Sequence, residues 1–163
     1  MKYDISALGN ALVDTQYKVD HNFLSEIGLE ADSMTLSSAD EQAPIINKLI
    51  KMGSESMSDC GGSATNSLVA AANYGSKCHH VCRVADDEDG RKYLDSLRSA
   101  GVEHIGISSK NADMPTGKCL ILVTPDAKRT MSSMLGVSAF LGSSDINFEV
   151  VENSKICYIE GYM

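Results

Sequence analysis

The stretch CGGSATNSLVAAANYG, residues 60–75, joins a glycine turn to a run of small, helix-forming residues. Residues 78–84 follow as an apolar, strand-like run. Backbone N–H groups at the start of such a helix are unpaired and can bind ligand oxygens, and paired glycines let a ligand approach without a Cβ clash. The alternative is a plain strand-to-helix entry in which Ser63 caps the helix. In either case, the order of turn, helix and strand predicts an α/β fold.

Strands and helices alternate along the rest of the chain. Four apolar runs are predicted as buried strands, at residues 4–9, 78–84, 102–107 and 156–159. Helical patterns lie between them, which predicts parallel βαβ units with helices on both faces of the sheet. Two segments with alternating polar and apolar residues, about 16–36 and 114–136, do not have the pattern of strands in such a sheet. We expect them to lie outside it. The second contains a predicted hairpin, 119–123 with 130–135.

Capping residues predict where two early helices begin and end. Asp20 precedes a short helix that ends at Gly28. Ser38 precedes a longer helix and has Glu41 three residues later, the spacing of a capping box. Gly53 ends that second helix.

Composition limits the classes of partner. The chain has 163 residues with 22 acids and 14 bases, so its net charge is −8. A net negative charge disfavours binding to nucleic acid or to an anionic membrane surface. No apolar run approaches the roughly 20 residues of a membrane span, and no signal peptide is visible. We therefore expect a cytoplasmic protein with no nucleic-acid or membrane partner.

The cysteines predict neither disulfides nor a metal site. They are five in number and include no CxxC pair. Cys78 and Cys82 flank two histidines, but no second ligand pair stands at the spacing of a zinc site. We expect reduced thiols that bind no metal.

Polar residues follow the first predicted strand, where ligands of open α/β sheets bind. Asn10 and Asp14 lie in the loop GNALVD at residues 9–14, and Glu160 follows the last strand. A carboxylate accepts from two hydroxyls and an amide both donates and accepts, so the pair suits a sugar. The alternative is that Asn10 bonds its own turn and Asp14 is a surface charge. GxGxxG and a complete P-loop are absent, which disfavours the corresponding nucleotide sites.

Four motifs together resemble the PfkB family of ribokinase-like and adenosine-kinase-like sugar and nucleoside kinases. They are the loop at 9–14, CGGSATNS at 60–67, RVADDEDG at 83–90 and the hairpin at 115–131. Ala85 stands where the third motif of the family usually has glycine. The resemblance covers residues 3–163. It implies a ribokinase-like three-layer αβα sheet with a small β lid, formed by segments of about 16–36 and 114–136.

The resemblance implies phosphorylation of a primary hydroxyl on a sugar or nucleoside, with ATP and Mg²⁺. The details of the loop and hairpin resemble adenosine-kinase-like members more than ribokinase. The substrate-binding residues it implies are Asn10, Asp14, Gly61, Gly62, Ser63, Asn66, Met131 and Ser133. It places Arg129 beside the transferred phosphate, where a planar, permanently charged donor suits the chemistry. The alternatives are a solvated turn charge for Arg129 and ordinary hairpin packing for the other two hairpin residues.

One departure concerns catalysis. The family's second signature is a G-A-G-D whose aspartate is the general base, and these residues do not contain it. In the family, most of the ATP site also lies in the second half of the chain. Residues 1–163 are therefore interpreted as the truncated N-terminal portion of one kinase domain, which alone lacks the catalytic base.

The sequence leaves two other functions open. One is a non-catalytic half-domain that binds a sugar or nucleoside, and the other is a flavodoxin-like domain with a phosphate at residues 61–62. The apolar strand at 156–159 argues against independent folding, because its edge would be exposed. Leu120, Leu122 and Met134 give the predicted hairpin apolar side chains, so we also expect a homodimer that pairs through the lid.

Overall fold

The computed structural model describes residues 1–108 and 114–162, which form two compact units. The α/β unit comprises Met1–Val13, Cys60–Gly117 and Leu135–Met163. The small unit comprises Asp14–Asp59 and Lys118–Met134. The small unit therefore extends well beyond the expected 16–36 segment, whereas residues 114–117 and 135–136 belong to the α/β unit.

Strands and helices alternate in the order that the sequence predicts, with several additions. The strands are β1 Tyr3–Leu8, β2 Leu12–Lys18, β3 Met34–Leu36, β4 Ser56–Gly61, β5 Cys78–Val84, β6 Val102–Ser108, β7 Gly117–Val123, β8 Arg129–Met134 and β9 Ser154–Ile159. The helices are α1 His21–Ile27, α2 Ala39–Lys51, α3 Ser63–Asn73, α4 Glu88–Ser99 and α5 Phe148–Glu152, and 3₁₀ turns cover Gly136–Phe140 and Ser143–Asp145. In the described part of the chain, no helix is both long and apolar enough to cross a bilayer.

A parallel sheet forms the centre of the α/β unit, with strand order β6-β5-β1-β9. Ile5 of β1 lies opposite Cys78 of β5 and Ile156 of β9. The core comprises buried strand and helix side chains, among them Ala7, Leu68, Cys82, Val84, Tyr93 and Leu97. The predicted α/β class is confirmed.

Local hydrogen bonds at two helix starts confirm the predicted caps. The Asp20 side chain accepts from the Phe23 N–H at 2.7 Å, and Gly28 ends α1 with a left-handed φ of 71°. Ser38 and Glu41 form the reciprocal capping box at the start of α2.

The second sheet has the strand order β3-β8-β7-β2-β4 and supplies most of the small unit. β7 and β8 pair antiparallel, which confirms the predicted hairpin. Leu120 and Leu122 are 1% and 0% exposed, because their face of the sheet packs against side chains of α1 and α2. Met134 is also buried. The prediction that these three residues offer an apolar face to a second subunit is therefore wrong.

β9 departs from the prediction of a buried strand. Its side chains are largely exposed, with Ile156 and Ile159 at 56% and 58%. The reason is its place at the end of the sheet, where it pairs with β1 and has no second strand neighbour among the described residues.

Candidate functional site

The entry to α3 requires glycine. Gly62 has φ 102° and ψ 145°, and a Cβ at this position would lie 2.4 Å from the Asn10 carbonyl oxygen. Both the left-handed φ and the close approach exclude a larger residue. Gly62 is the N-cap of α3 and Ser63 is its first helical residue, so the alternative in which Ser63 caps the helix is wrong. Ser63 and Asn66 are exposed on the first turn.

Asn10 is fixed by a buried carboxylate of the same unit. Its backbone N–H donates to Glu160 Oε1 at 2.7 Å, and its side-chain Nδ2 donates to the same oxygen at 2.8 Å. Nδ2 also donates to the Tyr162 carbonyl oxygen at 3.1 Å. Both amide hydrogens are thus used, and Asn10 Oδ1 accepts no hydrogen bond from any residue that the structure describes. Asn10 can offer a ligand an acceptor oxygen, but no donor.

The sequence places Glu160 at the ligand-binding edge of the sheet but does not identify it as a binding residue. The side chain is buried, and its second oxygen, Oε2, accepts from the Ala64 N–H of α3 at 3.1 Å. A Cβ on Gly9 would lie 2.5 Å from that oxygen, so the chain comes close to the carboxylate from both sides. The available signal was a charged residue directly after the last strand, at the carboxyl end of a parallel sheet. One carboxylate therefore joins the segments after β1, before α3 and after β9.

The charge of Glu160 determines what the start of α3 can bind. An anion near a helix N-terminus compensates the positive end of the helix dipole. A second anion there would meet like charge at short range, which is unfavourable. Among the described residues, the Ser63 and Thr65 N–H groups donate to no acceptor. This end of the helix therefore suits a neutral hydroxyl oxygen and disfavours the phosphate of the flavodoxin-like alternative.

The RVADDEDG motif at residues 83–90 has a structural role. Asp87 caps α4 by accepting from the Gly90 N–H at 2.7 Å. The same carboxylate accepts from the Thr116 N–H at 2.8 Å and from the Thr116 hydroxyl at 2.7 Å. Thr116 in turn accepts from the Ala85 N–H. The motif thus anchors the segment that leads into β7.

Asp14 and Arg129 lie on one face of the small unit's sheet, opposite its buried core. Tyr17 of β2 and Leu122 of β7 mark the core face, and strand alternation puts Asp14 and Arg129 on the other face. Burial raises the pKa of the half-buried Asp14 carboxyl, the Arg129 guanidinium opposes that rise, and the Asp59 carboxylate adds to it. Arg129 itself is exposed. The sheet therefore presents a partly desolvated carboxylate and an exposed cation on one face.

Met131 and Ser133 continue the same face of β8. Met131 is partly buried and lies opposite Ile121 of β7. The Ser133 hydroxyl is buried and donates to Cys119 Sγ at 3.4 Å. Ser133 therefore takes part in the packing of the hairpin, as the alternative interpretation expects.

The predicted site residues fall into two groups. Those of the α/β unit are Asn10, Gly61, Gly62, Ser63 and Asn66, and those of the small unit are Asp14, Arg129, Met131 and Ser133. Within residues 1–108 and 114–162, no group of three or more His, Cys, Asp or Glu side chains could hold a metal ion. The Glu160 carboxylate at the start of α3 disfavours a nucleotide phosphate at that position.

A sequence model described as pfkB family carbohydrate kinase matches residues 33–163. The chain belongs to the pfkB family of carbohydrate kinases. A ribokinase from Mus musculus is 30% identical over 106 residues, and the match covers 61% of this chain and 32% of that protein.

Solved kinase structures share the fold of this pfkB-family chain. An adenosine kinase from Sinorhizobium meliloti is 32% identical with a TM-score of 0.86, over 99% of this chain and 48% of that one. A probable sugar kinase from Rhizobium etli is 30% identical with a TM-score of 0.86, over 99% of this chain and 47% of that one. An Anopheles gambiae adenosine kinase, solved with P1,P4-di(adenosine-5) tetraphosphate, has 23% identity and a TM-score of 0.85, over 98% and 48%. The fold is ribokinase-like, and the chain spans about half the length of these structures.

Proposed function

We propose that this chain supplies the acceptor-binding residues of a kinase that transfers phosphate from ATP to a primary hydroxyl of a sugar or nucleoside. The observation that carries the proposal is the placement of Asp14 and Arg129 on one face of the small unit's sheet. In this proposal residues 1–163 are the N-terminal portion of one kinase domain, with lid segments at about 16–36 and 114–136. Membership of the pfkB family supports the reaction class.

Asp14 is proposed to hold two hydroxyls of the acceptor. An ionised carboxylate has only acceptor sites, so it pairs naturally with vicinal hydroxyl donors. Its partial burial leaves it incompletely hydrated, which strengthens a hydrogen bond to a ligand relative to the same bond in water. A hydroxyl pair that donates to Asp14 would replace the lost hydration.

The α/β unit is proposed to contribute the other acceptor contacts. Asn10 Oδ1 accepts from a hydroxyl, and the exposed Ser63 and Asn66 side chains can donate and accept. Gly61 and Gly62 contribute because neither adds a side chain at the turn. Glu160 supports this set by fixing Asn10 and the start of α3.

Arg129 is proposed as the catalytic cation. Phosphoryl transfer depends chiefly on positioning and on stabilising the charge of the transferred group, and a guanidinium carries a fixed charge with planar donors. Met131 and Ser133 are proposed to line the side of the pocket that receives the base or aglycone. ATP and Mg²⁺ would bind chiefly outside these residues.

The second candidate function is a non-catalytic half-domain that binds the sugar or nucleoside through the same acceptor residues, Asn10 and Asp14 among them.

A thermal-shift panel on the 163-residue chain tests acceptor binding. Ribose, adenosine and 2′,3′-dideoxyadenosine are compared, because a ligand that binds only the folded state raises the melting temperature. We expect stabilisation by adenosine or ribose and none by the dideoxy analogue, which lacks the vicinal hydroxyls. Equal stabilisation by adenosine and its dideoxy analogue contradicts the role of Asp14. An ATP-coupled assay of a complete kinase that carries this half then separates the kinase from the non-catalytic half-domain.

A further inference from the structure

Ser138 makes a set of buried hydrogen bonds that the site described above does not explain. The side chain is 2% exposed and lies in the 3₁₀ turn that follows β8. Its hydroxyl oxygen accepts from the Ala11 N–H at 2.9 Å. The same oxygen lies 3.0 Å from the Ala11 carbonyl oxygen and 3.1 Å from the Arg83 carbonyl oxygen, so its one proton is donated to either.

The bond to Ala11 fixes one of the two peptide planes of Asn10. The Ala11 N–H and the Asn10 carbonyl belong to one planar peptide unit. Ser138 holds the N–H side of that unit, and its carbonyl oxygen is the atom that a Cβ on Gly62 would approach to 2.4 Å. Glu160 holds the preceding unit through the Asn10 N–H. The backbone of Asn10 is thus fixed from both sides, by residues that lie far from it in the sequence.

The segment that carries Ser138 is itself anchored within the α/β unit. The Arg83 guanidinium donates to the Phe140 carbonyl oxygen at 3.0 Å and to Asp145 Oδ1 at 3.1 Å. Asp145 is buried, and its other oxygen accepts from the Gly142 N–H at 2.9 Å. These bonds hold the turn at Gly136–Phe140, and Ser138 with it, against the end of β5.

We propose that Ser138 is a positioning residue for acceptor binding and acts through Asn10. This inference rests on the proposed function, in which Asn10 Oδ1 contacts a hydroxyl of the acceptor. Without the Ser138 hydroxyl, the Ala11 N–H is left buried and unpaired, a state that chains avoid by shifting the backbone. A shift of that peptide unit rotates the Asn10 side chain away from the position set by Glu160.

The test is a double-mutant cycle on the 163-residue chain, with adenosine and ribose as probes and calorimetry as the readout. We expect Ser138→Ala to weaken binding about tenfold, the scale of one lost buried hydrogen bond. In an Asn10→Ala background, the same change should cost nothing further, because the residue through which it acts is gone. Ser138→Cys, with a weak donor and acceptor of similar size, should give an intermediate loss and serves as the test variant if the alanine variant does not fold.

Ser6→Ala is the matched control. Ser6 is a fully buried serine of β1 in the same unit, and its hydroxyl contacts His79 and not the Asn10 loop. Removal of the Ser6 hydroxyl should leave the dissociation constant within about twofold of the wild-type value. It should lower the stability of the fold, because a buried hydrogen bond contributes to folding. The side-chain amide signals of Asn10 in the ligand-free NMR spectrum should move in Ser138→Ala and stay in place in Ser6→Ala.

Three results would overturn the inference. Unchanged binding by Ser138→Ala, or losses equal in the two backgrounds, shows that Ser138 does not act through Asn10. A loss of affinity in Ser138→Ala that is no larger than the loss in Ser6→Ala shows that the Ser138 role is merely structural. Absence of binding by the wild-type chain is a separate outcome, because it rejects the proposed function first and this inference with it.

Discussion

Asn10 directs two donors at a single oxygen of Glu160, its backbone N–H at 2.7 Å and its side-chain amide at 2.8 Å. The two residues are 150 positions apart in the chain. The other Glu160 oxygen accepts from the first turn of α3. The geometry of the loop after β1 therefore depends on a residue that follows β9.

The first prediction concerns Glu160→Gln. The amide replaces one acceptor oxygen with a donor, which then faces an N–H group, and the remaining oxygen cannot serve all three donors. We expect a loss of about 1–3 kcal/mol in the free energy of unfolding, as for a buried group left without its partner. Denaturant unfolding followed by circular dichroism measures it. Glu152→Gln on the exposed face of α5 is the control, and an equal loss in both variants contradicts the role of Glu160.

The second prediction is a pH dependence of stability. Burial lowers the pKa of His79 from 6.5 to about 4 and that of His80 from 6.5 to about 3. Below pH 6.5 the unfolded chain binds protons that the folded chain does not, so stability falls as the pH drops from 6.5 towards 4. Each histidine contributes up to about 1.4 kcal/mol per pH unit over that interval.

Unfolding free energies measured between pH 7.5 and pH 4.5 check this slope, and His79→Gln should reduce it. The control is His21→Gln, a change at an exposed histidine, which should leave the slope of stability against pH unchanged. A slope insensitive to His79→Gln contradicts the prediction.

The third prediction concerns the exposed edge at β9. Ile156 is 56% exposed on β9, which pairs with β1 alone among the strands that the structure describes, an arrangement that favours pairing between chains. We expect Ile156→Lys to reduce self-association of the 163-residue chain with little change in stability, as measured by light scattering against concentration. The matched control is Ile50→Lys, because Ile50 is similarly exposed at 62% but lies on the helix α2. Equal reductions by both substitutions would show that the edge is not responsible.

The fourth prediction is that the 163-residue chain alone does not transfer phosphate. Transfer requires acceptor, nucleotide, metal and a positioned base together, and general-base assistance alone accounts for about a hundred- to ten-thousandfold in rate. An ATP-coupled assay of the purified chain should show no turnover above buffer. Turnover that disappears in Asp14→Ala would place the catalytic base within these residues.

Much of the fold followed from local sequence because local hydrogen bonds determine it. Asp20 and Ser38 cap their helices through residues three positions away. The turn composition at residues 125–128, between two strand-like runs, predicted the hairpin of β7 and β8. β4 was not predicted, because Ser56–Gly61 is polar and mostly exposed and shows no apolar alternation.

The candidate site was harder to predict, because its contacts join distant segments. Asp14 and Arg129 could be selected one by one, whereas their shared sheet face depends on the pairing of β2, β7 and β8. The position of Glu160 after the last strand places it at the ligand-binding edge, but no local pattern shows that its side chain is buried and accepts from Asn10 and α3. The engagement of both Asn10 amide hydrogens depends on that buried carboxylate, so sequence alone could not show which Asn10 atoms are left for a ligand.

Calorimetric titration of the wild-type chain and of Asp14→Asn with adenosine and with ribose tests the central claim most directly. Losing a hydrogen bond to a charged group costs about 1.5–3 kcal/mol, which weakens binding roughly ten- to a hundredfold. The control is Asp40→Asn, which removes an exposed charge from α2 of the same unit and should leave affinity unchanged. We predict that Asp14→Asn weakens the binding of adenosine or ribose roughly ten- to a hundredfold and leaves the melting temperature of the ligand-free chain unchanged. An Asp14→Asn chain that binds every accepted sugar or nucleoside as tightly as the wild type would contradict the account.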